Sequence, residues 1–323
     1  MFSLLKKYPR YKWIRTFLKQ VYRYSHHRSM RHMENSWPYF HIDSMSPNDK
    51  EVIWCGSRIC TLLPWKDLSE VFLNKNVFVL ATGPSICELD LNGLHHHGPI
   101  VGVNGAIAIQ DSSDVQFSAY FIVDRGFIER RFEMFERVVS QKIPCFLTFD
   151  CIFEVCKRRP DLLKEASIFL IENYNERYGV GRKNSSDLAR AMETDDGLEV
   201  LGSVNGCVGF SHDPERGVYD GATVVHWALQ VLVNYRVSEV AILGMDMGSK
   251  GGSHRFYEGQ ARAEHSSLDD NFEATILPSF QLASKVCQQL SINVVNLSPY
   301  SRLPSDVFNK KSFEEYMGEK YAI

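Results

Sequence analysis

The chain has 323 residues, 44% of them hydrophobic and 23% charged, with a net charge of −3. That length accommodates about two ordinary domains, or one large α/β domain with attachments. The composition excludes a disordered chain, a collagen-like chain and a small disulfide scaffold.

The near-neutral balance conceals an asymmetry. Residues 1–33 hold nine Lys and Arg and no acid, leaving 27 cations against 39 acids in the remainder, a net −12. A basic arm on an acidic body points to a polyanion, either nucleic acid or an anionic membrane face. Within the arm, Ile14, Phe17, Leu18, Val21 and Tyr22 share one helical face. An amphipathic helix rich in Lys, Arg, Trp and Tyr fits an interfacial helix and equally a helix packed on its own domain.

Residues 34–75 carry no motif. From residue 76 a regular alternation begins. Val77–Ala81 reads as a strand closed by Thr82-Gly83-Pro84-Ser85; Ile100–Val103 as a second, ended by Asn104-Gly105; Ala119–Val123 as a third, ended by Asp124. A helix is predicted over 125–139, a strand over 145–149, a helix over 151–165 and a strand over 168–171. Residues 173–220 are rich in Gly, Asn, Ser and Asp and break the pattern, as a lid or small subdomain would. A buried helix over 222–235, a strand over 240–243 ended by Gly244-Met245-Asp246, a helix over 267–290 and a strand over 292–297 complete the series. Strands alternating with helices predict an α/β fold with a doubly wound, mostly parallel sheet. The predicted domains are a basic arm and lead-in over 1–75 and a catalytic domain over 76–323.

Eight cysteines are scattered without a C-x-x-C pair, which reads as reduced thiols and neither a disulfide framework nor a zinc site. No apolar run approaches the ~18 residues of a membrane span, and no signal peptide is evident. The expected location is cytoplasmic. With the cations confined to the arm and no RNA motif in the body, nucleic acid is not an expected partner.

In open α/β sheets, ligands bind beyond the carboxyl ends of the strands. Here those ends are small or polar: Thr82–Ser85, Asn104-Gly105, Asp124, Asp246 and Asn296–Pro299. Gly83 permits close backbone approach, and Ser85 could open a helix facing a phosphate. The G-x-G-x-x-G and G-x-x-x-x-G-K-[ST] fingerprints are absent, so dehydrogenase and ATPase readings lose weight. No Asp-x-Asp pair stands at a strand end, which disfavours a metal-held diphosphate. A Gly-rich stretch from Gly244 to His265 carries His254, Arg255, Tyr257 and His265, types that can wrap an anionic leaving group and supply a base.

These residues resemble known families. Val79–Ile86 followed by Val103-Asn104-Gly105, then Gly252–Phe256, Glu264–Ser267 and Asn296–Ser301, are similar to the family 42 bacterial sialyltransferases. Ile100–Ala106, Val123–Phe127, Gly244–Tyr257 and Asn293–Asp306 resemble more closely the enterobacterial transferases that add a third Kdo to the lipopolysaccharide inner core. Both families use CMP-activated ulosonic acids. Thr82 stands where the sialyltransferases have Asn, and Gly248 and His254 where they have phosphate-binding tyrosines.

The resemblance implies a Rossmann-like glycosyltransferase that moves Kdo from CMP-Kdo to a lipopolysaccharide core hydroxyl, with inversion and without a metal or cofactor. It implies donor binding by Thr82, Gly83, Pro84, Ser85, Asn104, Gly105, Gly221, Asp246, His254, Arg255 and Tyr257. His265 is the expected general base, with Asp124 as the alternative. The competing readings are a CMP-sialic or pseudaminic acid transferase and a non-catalytic, membrane-docked scaffold or nucleotide sensor. An acceptor built on the inner leaflet would favour an enzyme held there by residues 1–33.

Overall fold

The computed structural model describes residues 8–9, 11–46, 49–194, 198–203, 206–248, 255–258 and 268–321. Its centre is an eight-stranded sheet. The strands are β4 (Asn76–Leu80), β5 (Ile100–Val103), β6 (Ala119–Ile122), β7 (Cys145–Leu147), β8 (Ile168–Leu170), β11 (Glu239–Leu243), β12 (Asn293–Asn296) and β13 (Asn309–Lys310), in the spatial order β13-β12-β11-β4-β5-β6-β7-β8. Every pairing in this sheet is parallel.

The central strands are continuous apolar runs because both faces are covered. Phe78, Leu80, Tyr120, Ile122, Cys145 and Leu147 point into one core; their alternates Val77, Val79, Ala119, Phe121 and Phe146 point into the other. On the first face lie α3 (Arg125–Arg130), α4 (Phe132–Ser140), α5 (Phe149–Arg158) and α10 (Phe313–Tyr321); α2 (Ser69–Phe72), α7 (Val224–Asn234) and α9 (Leu277–Gln289) cover the second. The Phe121, Phe146 and Phe169 rings stack at 4.4 and 5.1 Å between centroids on that second side. The expected doubly wound α/β architecture is therefore present.

Three local expectations are corrected. The helix predicted over 125–139 is two helices, because Arg131 (φ −130, ψ 46) leaves the helical region between α3 and α4. The helix predicted over 267–290 runs through α8 (Leu268–Asn271) and a π turn at Phe272–Ile276 before α9. Residues 34–75 are not featureless: β1 (Phe40–Ser46), β2 (Asp49–Trp54) and β3 (Ser57–Leu62) form an antiparallel sheet. The β2–β3 turn places Cys55 (φ 49) and Gly56 (φ 77) both in the left-handed region, the geometry favoured by two-residue hairpins. Cys-Gly carries that turn without the usual Asn-Gly signature.

Phe40, Val52, Trp54 and Leu62 of this sheet share the first core with α5. So does α1 (Lys12–Ser25), through buried Tyr22. Arg23 of α1 also forks onto Glu34, with both contacts at 2.6 Å.

Within 173–220 the described residues include α6 (Ser185–Thr194) and the hairpin β9 (Leu198–Ser203)–β10 (Gly206–Ser211). Buried Gln230 of α7 tethers the end of this segment. Its Oε1 accepts from the Ser211 and Tyr219 amides at 3.0 Å each, and its Nε2 donates to the Tyr219 carbonyl at 2.9 Å.

Candidate active site

The sheet reverses its winding between β4 and β11: the chain runs outward from β4 to β8, then returns to the far side of β4 with β11. Such a switch point leaves a crevice at the carboxyl ends of the two strands. A cavity of about 680 Å³ lies there, within the size range of ligand sites. Thr82 and Gly83, Asn104, Asp124, and Gly244–Gly248 line it from the ends of β4, β5, β6 and β11. Asp220, Ala222, the start of α7, Arg130, Arg255 and Asn271 complete the wall.

Gly83 is the hinge of this geometry. Its amide donates to the Gly244 carbonyl at 2.8 Å, extending the β4–β11 ladder beyond the strands. A Cβ there would lie 2.5 Å from the Gly244 oxygen and 2.6 Å from Asp246 Oδ2. Asp246 is 8% exposed and turns both carboxylate oxygens to Ser85: Oδ2 accepts from its amide at 2.9 Å and Oδ1 from its hydroxyl at 2.5 Å. The Ser85 amide is thus occupied, and Pro84–Glu88 is a single short 3₁₀ turn.

The turn Asn296–Ser301 buttresses the Met245-Asp246 segment. Ser298 Oγ accepts from the Met245 amide at 2.9 Å, and Ser301 Oγ donates to the Met245 carbonyl at 2.6 Å.

Asn104 sits at φ +46, a strained conformation for a residue with a side chain, and its Oδ1 is buried without a hydrogen-bond partner. Its carbonyl accepts from the Tyr120 hydroxyl at 2.7 Å, and that oxygen in turn accepts from the Ile107 amide at 2.6 Å. Ala222 (φ 57) and Met247 (φ 56), also on the wall, are left-handed too. Strained non-glycine backbone concentrates at functional sites; an orphaned amide oxygen on a cleft wall is a group awaiting a donor.

Two guanidinium groups and one helix start line the cleft beside the carboxylates of Asp124, Asp220 and Asp246. Arg130 pairs with Asp124 at 3.3 Å. Arg255 pairs at 2.6 Å with Glu258, whose side chain is fully buried. Finally, α7 begins at the wall with no side-chain cap on Thr223, so the positive end of the helix dipole faces the cavity.

The predicted residues divide into groups. Thr82, Gly83, Asn104, Asp124, Asp246 and Arg255 line the one cleft. Pro84, Ser85, Gly105, Gly221 and Tyr257 stand behind the wall. A Cβ on Gly105 would collide with the Tyr257 ring, and one on Gly221 would lie 2.6 Å from His226 Cγ. Thr82 holds the 255–258 segment in place, its carbonyl accepting from the Phe256 amide at 3.0 Å. His254 and His265 lie outside the described residues.

Asp124 caps α3, accepting from the Gly126 amide at 2.7 Å. Sequence reasoning missed Asp220, which accepts from Trp227 Nε1 at 3.1 Å and from the Ala222 amide at 2.9 Å, and it missed the start of α7. Asp-Gly-Ala-Thr ahead of an apolar run is a helix-entry pattern and was the available signal. Among the described residues, no group of three or more His, Cys, Asp or Glu side chains is placed to hold a metal ion.

An eight-stranded parallel sheet with a polar, strained cleft at its switch point defines a Rossmann-like α/β fold. Residues 66–309 match the family described as 3-deoxy-D-manno-octulosonic acid transferase WaaZ, and the chain belongs to that family. Among solved structures it is similar to the MAf glycosyltransferase from Magnetospirillum magneticum AMB-1. That match has 12% identity and a TM-score of 0.39, over 76% of this chain and 34% of the other, so this chain spans about a third of that protein's length. No curated protein matches the sequence.

Proposed function

We propose that the cleft binds CMP-Kdo and that the enzyme transfers Kdo, with inversion and without a metal, to a hydroxyl of a lipopolysaccharide inner-core sugar. The observation that carries this reading is the switch-point cleft in a member of a Kdo transferase family, lined by the uncapped start of α7, Arg130 and Arg255. The CMP phosphate gains charge as the glycosidic bond breaks, and preorganised positive groups aimed at that charge lower the barrier. Asn104 Oδ1, orphaned and buried, suits an amino group of the cytosine or a sugar hydroxyl.

In this reading His265 is the general base that takes the acceptor proton, and Asp124 is the alternative on the wall. His254 and Arg255 attend the leaving group, and Tyr257, behind the wall, packs against Gly105.

We also assign the enzyme a peripheral place on an anionic membrane. No helix among the described residues is long and apolar enough to cross a bilayer. On α1 the residues Trp13, Phe17 and Tyr24, at helical spacing, are 70%, 62% and 90% exposed while Tyr22 is buried. Aromatic side chains presented this way anchor a helix at headgroup depth.

The test is transfer by the purified full chain, read by mass spectrometry, with CMP-Kdo and CMP-sialic acid offered separately to a lipopolysaccharide core acceptor. Kdo addition is the expected result. Sialic acid addition replaces the donor, and release of CMP from neither donor overturns the reading.

A further inference from the structure

A second cavity, of about 250 Å³, lies between α1 and the body. It holds about eight waters' volume, room for one sugar ring. Its floor is aromatic: Tyr8, Trp37, Tyr39 and Phe153. Tyr8 packs within 5.2 Å of Trp54 and 5.4 Å of Tyr39, ring centre to ring centre, so the platform is built into the core.

The cavity walls are basic. Lys12, Arg15, Lys19, Arg125 and Lys157 face two carboxylates, Glu34 and Glu129. Most of the carboxylate charge on this side is already matched: Glu34 by Arg23, Glu129 by Arg125, and Glu154 by Lys157. Lys12, Arg15 and Lys19 have no ion pair among the described residues. Arg15 Nε is buried and lacks a hydrogen-bond partner. Three cations without an ion pair, Arg15 among them lying 5.9 Å from the Tyr8 ring centre, over an aromatic floor form a site for a small anion carried on a ring with an apolar face.

The second cavity and the donor cleft are reached by consecutive residues. Asp124 lines the cleft and Arg125 lines the second cavity, and consecutive Cα atoms are about 3.8 Å apart. The inward face of α1 supplies Arg15, Leu18 and Lys19 to the cavity, whereas its outward stripe is Trp13, Phe17 and Tyr24.

We infer that this second cavity is the acceptor subsite, holding a carboxylate- or phosphate-bearing sugar of the acceptor glycan beside the donor cleft. The inference rests on the transfer reading above and adds to it the acceptor's charge and where that charge is held. Arg15 and Lys19 bind the anion, the Tyr8–Tyr39–Phe153 platform takes the ring face, and Arg125 links the two sites.

The experiment is calorimetric binding of a deacylated, water-soluble core oligosaccharide to the full chain without donor. The oligosaccharide is used in three forms: intact, phosphatase-treated and carboxyl-reduced. The intact form should bind, and loss of the recognised anion should weaken binding about tenfold; which treatment does so identifies phosphate or carboxylate. Combined Lys12→Ala, Arg15→Ala and Lys19→Ala should cause a similar loss and abolish the difference between the forms, whereas Arg15→Lys should keep most of it.

Equal binding of all three forms by the parent protein overturns the inference without any variant. CMP titrated into the parent protein reads the donor cleft alone. Absence of CMP binding there overturns the donor reading, while the oligosaccharide series still decides the subsite.

Discussion

Asp246 and Ser85 are joined by two hydrogen bonds across the switch point, amide to Oδ2 and hydroxyl to Oδ1. They lock the turn after β4 to the turn after β11, so the floor of the cleft is set by a side-chain clasp as well as by the sheet ladder. Hydrogen bonds to a charged group contribute roughly 1.5–3 kcal/mol each. Asp246→Ala should therefore lower stability by about 2–4 kcal/mol in urea denaturation and abolish CMP binding. Ser85→Ala, which keeps the amide bond, should lower stability by about 1–2 kcal/mol. Wild-type stability in Asp246→Ala would show that the clasp does not hold the cleft.

Asn104 separates strain from recognition. Asn104→Gly removes both the strained φ and the orphaned Oδ1. Its stability should stay within about 1 kcal/mol of the parent, because relief of strain offsets the added backbone entropy. CMP affinity should fall about tenfold, the worth of one well-made hydrogen bond to a ligand. Unchanged affinity by titration calorimetry would remove Asn104 from the donor site.

Gly83 and Gly105 are required by space. Gly83→Ala would place a methyl group 2.5 Å from the Gly244 carbonyl oxygen, backbone that cannot step aside. At Gly105 the obstacle is the Tyr257 ring. Each substitution should cost about 1–3 kcal/mol as overpacking does. Gly105→Ala should be relieved by Tyr257→Ala, which empties the obstructing space, whereas Gly83→Ala should not be. Thermal melts of the four variants decide this; no rescue at Gly105 would contradict the contact.

Asp150, at the start of α5, gives a pH signature. Burial pushes its carboxyl up to about 6; Arg125 and His32 pull it back, and Glu176 and Glu154 reinforce the rise. Between the ordinary carboxylate value near ~4 and about 6, the folded chain holds a proton that the unfolded chain has lost. This group's contribution to stability therefore falls as pH rises through that window and is flat above it. Asp150→Asn should be about 1–2 kcal/mol more stable than the parent at pH 7, after discounting for partial exposure, and equal to it below pH 4. His226, which burial holds down to about 4, loses stability as pH falls below 6.5, but it does so in both proteins and cancels from the difference. A constant difference across pH 4–7 would contradict the assignment.

The outward stripe of α1 predicts membrane behaviour that separates from catalysis. Trp13→Ser with Phe17→Ser removes two exposed rings and no buried contact, so the melting temperature should hold while sedimentation with anionic vesicles drops several-fold. Activity on a soluble acceptor should persist. Vesicle binding equal to the parent's would leave α1 as a packed helix and nothing more.

The sheet was legible in the sequence wherever both faces of a strand are buried. Runs such as Val77–Ala81 and Ala119–Val123 are apolar throughout, and the small or polar residues that close them marked the cleft floor at Gly83, Asn104, Asp124 and Asp246. The β1–β3 sheet escaped notice because its half-buried strands mix polar with apolar residues and its turn is Cys55-Gly56. Asp220 and the start of α7 escaped because they reach the cleft from about 100 residues beyond Asp124, across the 173–220 segment.

The net charge of −3 with its basic arm was likewise a fact of sequence; the division of labour within the arm was not. Periodicity places Phe17, Leu18, Val21 and Tyr22 on a shared side of α1. Only the packing against Glu34, Trp37 and Phe153 decided that Tyr22 turns inward, that Trp13, Phe17 and Tyr24 stay exposed, and that Arg15 and Lys19 close a second cavity. Local sequence specifies which conformation a segment prefers, because that depends on neighbours a few bonds away. Which face is buried and which charges remain unmatched depends on groups brought together from distant parts of the chain, and those were determined only when the sheet closed its switch point and α1 docked on the core.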